Sequence, residues 1–211
     1  MADLVEAIPG IAEVPLIGIL RKLPLENALD LVGAAEKAGI RVVEVTLDSD
    51  RALDQIRTLA ETYPGVTVGA GSVRSPANVA DASDAGARFI VSPITRQAVA
   101  AACKSLDMPL IPGAATPTEI DIAIESGAVA VKVFPIEQLG GPPFLTAVLS
   151  PLGDPPLIPT GGVTLTNARD YLSSGAAAVG VGSAMFSADS LTRSPADVVE
   201  SFRNWVTVVT R

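Results

Sequence analysis

The chain has no histidine and a single cysteine in 211 residues, and each scarcity removes a class of chemistry. Without imidazole, Ser-His-Asp nucleophile triads and the usual zinc sites are excluded, and a carboxylate-bound magnesium is the metal left open. The lone Cys103, in the helix-like run Gln97–Lys104, has no partner for an internal disulfide and reads as a small packing residue. Long apolar runs are missing too. Stretches such as Ile11-Ala12-Glu13-Val14 are broken by charge or by Gly and Pro, short of the roughly 18 residues of a membrane span. With a net charge of −8 and no basic run, the chain offers nucleic acid no positive surface. Neither nucleic acid nor a membrane is expected as partner, and a small molecule is. The acidic opening Met1-Ala2-Asp3-Leu4-Val5-Glu6 makes a poor signal peptide, so a cytoplasmic protein is expected.

What is present is apolar and periodic. Hydrophobic residues make up 48% of the chain, enough for one domain with a large core, and residues 1–211 are read as that single domain. Four segments repeat a small residue plus glycine followed by a short apolar run: Ala38-Gly39 into Ile40–Leu47, Ala85-Gly86 into Ala87–Ser92, Ser126-Gly127 into Ala128–Phe134, and Ser174-Gly175 into Ala176–Ser183. Each glycine sits where a helix ends and a left-handed residue is wanted, which makes these helix-to-strand joints. Further apolar runs at Val14–Leu20, Val66–Ala70, Pro109–Ile111 and Leu157–Pro159 alternate with helical stretches at Glu26–Lys37, Ala77–Asp84, Thr118–Glu125 and Asn167–Ser173. Strands alternating with helices in this way predict an α/β fold, a single (β/α)8 TIM barrel, with an open doubly wound sheet as the alternative. Expected helix caps are Asp50 before Arg51–Thr62, Ser75 before Pro76, Thr116 before Pro117, and Thr164 or Thr166 before Asn167.

In a barrel the groups for chemistry stand at the C-terminal ends of strands. Lys132 follows Ala128-Val129-Ala130-Val131, and an ammonium on what reads as a buried strand costs several kcal/mol to desolvate, which favours the neutral, nucleophilic amine. The alternation of a strand puts Lys132 on one side with Ala128, Ala130 and Phe134, and the valines on the other. The same alternation turns Glu44 inward with Val42 and Thr46. A lysine and a carboxylate facing each other across an apolar barrel are either a structural ion pair or an imine-forming amine with its acid/base. Ser72 ends the run Val68-Gly69-Ala70-Gly71, and Arg21, in phase with Ile17 and Ile19, supplies a fork suited to a carboxylate. Pro159-Thr160-Gly161-Gly162-Val163 and Val179-Gly180-Val181-Gly182-Ser183 carry glycine pairs that expose backbone N–H groups to an anion, where such barrels commonly cradle phosphate. A phosphorylated keto acid fits that layout.

With these motifs in this order, together with Val91-Ser92-Pro93, Ile111-Pro112-Gly113 and Lys132-Val133-Phe134-Pro135, the chain from about Val14 to Phe186 closely resembles the 2-keto-3-deoxy-6-phosphogluconate and phosphogalactonate aldolase family, a group of class I aldolases. The resemblance implies that Lys132 is the Schiff-base lysine and Glu44 the general acid/base. It implies that Ser72 contacts the pyruvyl group, that Pro93 and Phe134 line the pocket, and that Thr160, Gly161, Gly162, Gly182 and Ser183 belong to the substrate and phosphate site. No metal or organic cofactor is required by that chemistry, and pyruvate is a product. Family members are commonly trimers, so a homotrimer is implied. One departure stands out: some members carry an arginine four residues after the glutamate, and this chain has Asp48, which is expected to repel a carboxylate. Arg21 is then the candidate for the substrate carboxylate, with Arg51 as a second cation nearby, and the choice between gluconate- and galactonate-type substrates is open. Related expectations are activity on unphosphorylated 4-hydroxy-2-oxoglutarate, a phosphate-binding barrel isomerase or synthase without imine chemistry, or a silent binding protein.

Overall fold

Short β-branched strands alternate with helices along the computed structural model, which describes residues 2–211. The strands are β1 (Leu16–Leu20), β2 (Val42–Thr46), β3 (Thr67–Gly71), β4 (Ile90–Val91), β5 (Leu110–Ile111), β6 (Gly113–Ala114), β7 (Val131–Val133), β8 (Leu157–Pro159) and β9 (Val179–Val181). The helices are α1 (Ala2–Ala7), α2 (Leu25–Ala38), α3 (Ala52–Thr62), α4 (Pro76–Asp84), α5 (Gln97–Ser105), α6 (Pro117–Glu125), α7 (Ile136–Leu139), α8 (Pro142–Leu149), α9 (Ala168–Ser173) and α10 (Pro195–Thr210). All recorded pairings are parallel, in a six-stranded sheet ordered β5-β4-β3-β2-β1-β9 and a three-stranded sheet ordered β6-β7-β8. A bridge between Thr160 and Gly180 links β8 to β9.

The expected eight strands therefore take the form of an α/β fold with two parallel sheets, and the reason for the division is local. Pro112 lies between β5 and β6 and has no N–H to give to a ladder. β5 pairs with β4, and β6 pairs with β7. The chain still runs on beside β7, because the Val129 N–H donates to the Leu110 carbonyl and the Lys132 N–H to the Pro112 carbonyl. Having the last strand beside the first is not the order of an open doubly wound sheet.

Local signals account for much of this framework. Gly39, Gly86, Gly127 and Gly175 all adopt positive φ where the four helix-to-strand joints are expected. Ser75 caps α4 by accepting from the Asn78 N–H, and Thr116 caps α6 in a reciprocal capping box with Glu119. Two expected caps are corrected. Arg51, left-handed at φ 48, occupies the cap position of α3, so Asp50 lies one residue too early and its carbonyl instead accepts from Gln55. Asn167 is the cap residue of α9, while Thr164 and Thr166 bond to each other through their hydroxyls.

Two apolar layers result from strand alternation. Val43, Val45, Val131 and Val133 pack outward against the helices. Ile17, Val42, Phe89, Val91, Ile111, Ala130, Ile158 and Ala178 form an inner cluster, closed at the strand beginnings by Leu4, Ile8 and Ile11. The acidic opening from Ala2 is thus a helix whose apolar side plugs the interior, while Met1 lies outside the described residues. Burying each of Leu4 and Ile8 contributes about 1.5–3 kcal/mol. Cys103 is buried in the outer layer, as a packing residue should be. No helix among the described residues is long and apolar enough to cross a membrane.

Candidate active site

With the strand beginnings plugged, the open end of the interior is the one where the strands finish. There β7 and β2 bring Lys132 and Glu44 together across the inner layer: Lys132 Nζ donates to Glu44 Oε1 at 3.4 Å. The two side chains are 13% and 2% accessible. A buried pair at this separation is on the long side for a hydrogen bond, so the nitrogen is held near its acid without being locked to it. The Lys132 nitrogen also lies 5.8 Å from the centre of the Phe134 ring, whose face stabilises a cation there. A small void between the strands touches Glu44, Lys132 and Thr160.

Glycine at position 71 is what allows the glutamate to lie flat against β3. A Cβ there would stand 3.0 Å from both Cδ and Oε1 of Glu44 and 3.2 Å from Thr46 Cγ2. The next residue, Ser72, lines the cavity with φ at 59, a left-handed conformation that costs a non-glycine residue on the order of 1 kcal/mol and clusters at functional sites.

The cavity above the pair has a volume of about 600 Å³. Pro93 and Phe134 form apolar wall, and Thr160, buried, reaches it from the end of β8. Gly161, Gly162, Gly182 and Ser183 line the rim beyond, with Gly161 against the Phe134 ring. Gly161 and Gly162 have φ of 88 and 86, which turns successive peptide groups into a concave loop. The N–H groups of Gly162, Gly182 and Ser183 donate to no backbone carbonyl among the described residues. Such a loop suits an anion, although Glu137 packs against its outer side, where a Cβ on Gly162 would fall 2.4 Å from Glu137 Cβ. Among the described residues no group of three or more acidic or cysteine side chains could hold a metal ion.

Arg21 lines the same cavity, at the end of β1. Asp48 does not face it as a lone repelling charge: Arg21 Nη2 donates to Asp48 Oδ2 at 2.7 Å. Burial opposes the Asp48 charge, but the Thr46 hydroxyl, the Arg21 guanidinium and its own backbone N–H outweigh it and hold the carboxyl below the ordinary aspartate value. Arg51 does not reach the cavity. It pairs with Asp54 at 2.9 Å on the outside of α3. Sequence reasoning passed over Lys22, Thr46 and Phe186, all of which line the cavity. Thr46 shares the inward side of β2 with Glu44 and was legible from that alternation; Lys22 and Phe186 carry no such signal.

A secluded amine beside an acid, with a cationic fork and bare N–H groups lining the same cavity, can form an imine with an anionic ketone and move protons around it. Comparison with known proteins agrees with that chemistry. The family model "KDPG and KHG aldolase" matches residues 8–202. The KHG/KDPG aldolase of Escherichia coli is 36% identical over 159 residues, 75% of each chain. A probable 2-dehydro-3-deoxy-6-phosphogalactonate aldolase of Rhizobium meliloti is 38% identical over 176 residues, 82% of each chain. Among solved structures, the KDPG aldolase of Legionella pneumophila, with pyruvate captured as a covalent carbinolamine, superposes with a TM-score of 0.81 at 31% identity over 94% of both chains. Matched along nearly its whole length in sequence and in fold, the chain belongs to the KDPG and KHG aldolase family.

Proposed function

We propose that this protein is a class I aldolase that cleaves 2-keto-3-deoxy-6-phosphogluconate, or its galactonate epimer, to pyruvate and glyceraldehyde 3-phosphate through an imine on Lys132. The observation that carries the reading is the buried Lys132–Glu44 pair at 3.4 Å, open to a cavity large enough for a six-carbon phosphorylated acid.

Neutral Lys132 attacks the C2 ketone, and Glu44 carries protons as the carbinolamine loses water to become an iminium. The iminium accepts the electron pair of the C3–C4 bond as it breaks, while the C4 hydroxyl proton passes to Glu44 directly or through a water. The aldehyde leaves, the enamine takes a proton at C3, and water releases pyruvate from the lysine. Arg21 binds the C1 carboxylate and Ser72 contacts the pyruvyl group. Pro93, Phe134 and Thr160 border the carbon chain, and Gly161, Gly162, Gly182 and Ser183 receive the phosphate. No organic cofactor or metal enters this scheme. The same reading includes a single domain spanning 1–211, closure of the two sheets into one (β/α)8 barrel, a homotrimer, and a location in the cytoplasm, where phosphorylated acids are retained.

The test is borohydride with pyruvate. An adduct of about 72 Da on Lys132 supports the imine, and an unmodified lysine refutes it in favour of a phosphate-binding barrel without covalent chemistry. Retro-aldol rates with the two C4 epimers, side by side, decide the substrate. Unphosphorylated 4-hydroxy-2-oxoglutarate is the second reading. Its turnover beside that of the phosphorylated acid shows how much the glycine rim contributes.

A further inference from the structure

We infer that Asp48 is a positioning residue for Arg21: it anchors the guanidinium at the cavity mouth, so that the donors left over meet the carboxylate of a 2-oxo acid. The inference rests on the aldolase reading above. Arg21 is 59% accessible, and among the described residues Asp48 is its one hydrogen-bond partner. That bond is the polar tie that keeps this long side chain over the cavity. Asp48 is itself tied down, because the turn that carries it is bonded to the backbone on both sides of Arg21. Thr46 Oγ1 donates to the Leu20 carbonyl at 3.4 Å, the Lys22 N–H donates to Ser49 Oγ at 2.8 Å, and the hydroxyls of Thr46 and Ser49 lie 3.2 Å apart. Thr46 and Ser49 are buried, so these ties are shielded from water. The ends of β1 and β2 are thereby joined into one piece, with the Arg21–Asp48 pair as its outer face.

Asp48 has two opposing effects on an incoming carboxylate. It repels the charge, and it spares the arginine the loss of rotamer freedom that binding would otherwise impose. A guanidinium has five donors in a plane, so two carboxylates can occupy different edges of it. At an exposed mouth, water and salt screen their mutual repulsion, whereas the ordering cost of a free arginine is not screened. Anchoring is therefore the larger effect.

The experiment measures how much pyruvate half-saturates borohydride trapping on Lys132 in the full chain. Asp48→Ala should raise that concentration about 3–10-fold, and Asp48→Asn, which keeps an oxygen to accept from Nη2, should recover most of the loss. Arg21→Ala should weaken pyruvate at least as much, and adding Asp48→Ala to it should cost nothing more. Trapping of methyl pyruvate, which lacks the carboxylate, should be indifferent to all three changes. Tighter or unchanged pyruvate binding in Asp48→Ala overturns the inference, as do additive losses in the double variant or an equal loss with methyl pyruvate. A parent protein that traps no pyruvate overturns the aldolase reading, and this one with it.

Discussion

Gly71→Ala adds one methyl group where it crowds the active-site glutamate. The new Cβ would lie 3.0 Å from Glu44 Cδ and Oε1 and 3.2 Å from Thr46 Cγ2. Non-bonded carbons settle at about 3.5–4.0 Å, so the carboxylate must give by a few tenths of an ångström. Glu44 borders both the cavity and the small void beside Lys132, so its carboxylate has room to shift from its present place. The Lys132–Glu44 separation is already 3.4 Å, so even a small displacement away from the lysine ends the hydrogen bond. A bond this long is worth less than a short charge-assisted one, about 0.5–1.5 kcal/mol, which corresponds to about 2–10-fold in the rate of imine formation and of retro-aldol turnover. Stability should move little, because replacing glycine inside a strand gains about 0.5–1 kcal/mol and offsets part of the strain. Pyruvate release in a coupled assay and the urea midpoint of the same sample measure both quantities. A variant with the parent's turnover and an unchanged midpoint would falsify the claim that the position of Glu44 controls the chemistry.

Lys132→Ala and Lys132→Arg should both lose the borohydride adduct and slow turnover more than about a thousandfold, since arginine keeps the charge but offers no neutral amine; intact-mass spectrometry reads the first and steady-state kinetics the second. Gly162→Ala forces a side chain into φ of 86 and against Glu137, so KM for the phosphorylated acid should rise about tenfold while turnover of 4-hydroxy-2-oxoglutarate holds; equal losses on both substrates would show that the loop does not bind phosphate. Burial pushes the Cys103 thiol up from 9.0 to about 11. The unfolded chain then ionises first, so the stability present below pH 9 should decline as pH rises toward 11, by on the order of 2 kcal/mol; urea midpoints that fall equally in Cys103→Ala would rule this thiol out as the cause.

Strand alternation and glycine placement were legible because both are properties of a few consecutive residues. Glu44 and Lys132 could be turned inward on paper, and the left-handed glycines at 39, 86, 127 and 175 could be placed, without knowing where any strand lay. The caps show where that locality ends. Ser75 and Thr116 were readable from the proline that follows each, whereas Asp50 and the threonines near α9 failed because the backbone at Arg51 and Asn167 turned otherwise. Asp48 is the clearest case. Read alone it is a repelling charge, and it becomes an anchor only because β1 and β2 lie side by side, with Leu20 opposite Val45, bringing it to a partner 27 residues away. The amino-acid sequence by itself determined which residues face inward and what chemistry they carry, because the periodicity of a strand is set by its own backbone. Only the tertiary structure decided which of those groups meet, since the 3.4 Å between an amine and its acid, and the pairing of Arg21 with Asp48 rather than Arg51 with the cavity, follow from the register and packing of strands far apart in the chain.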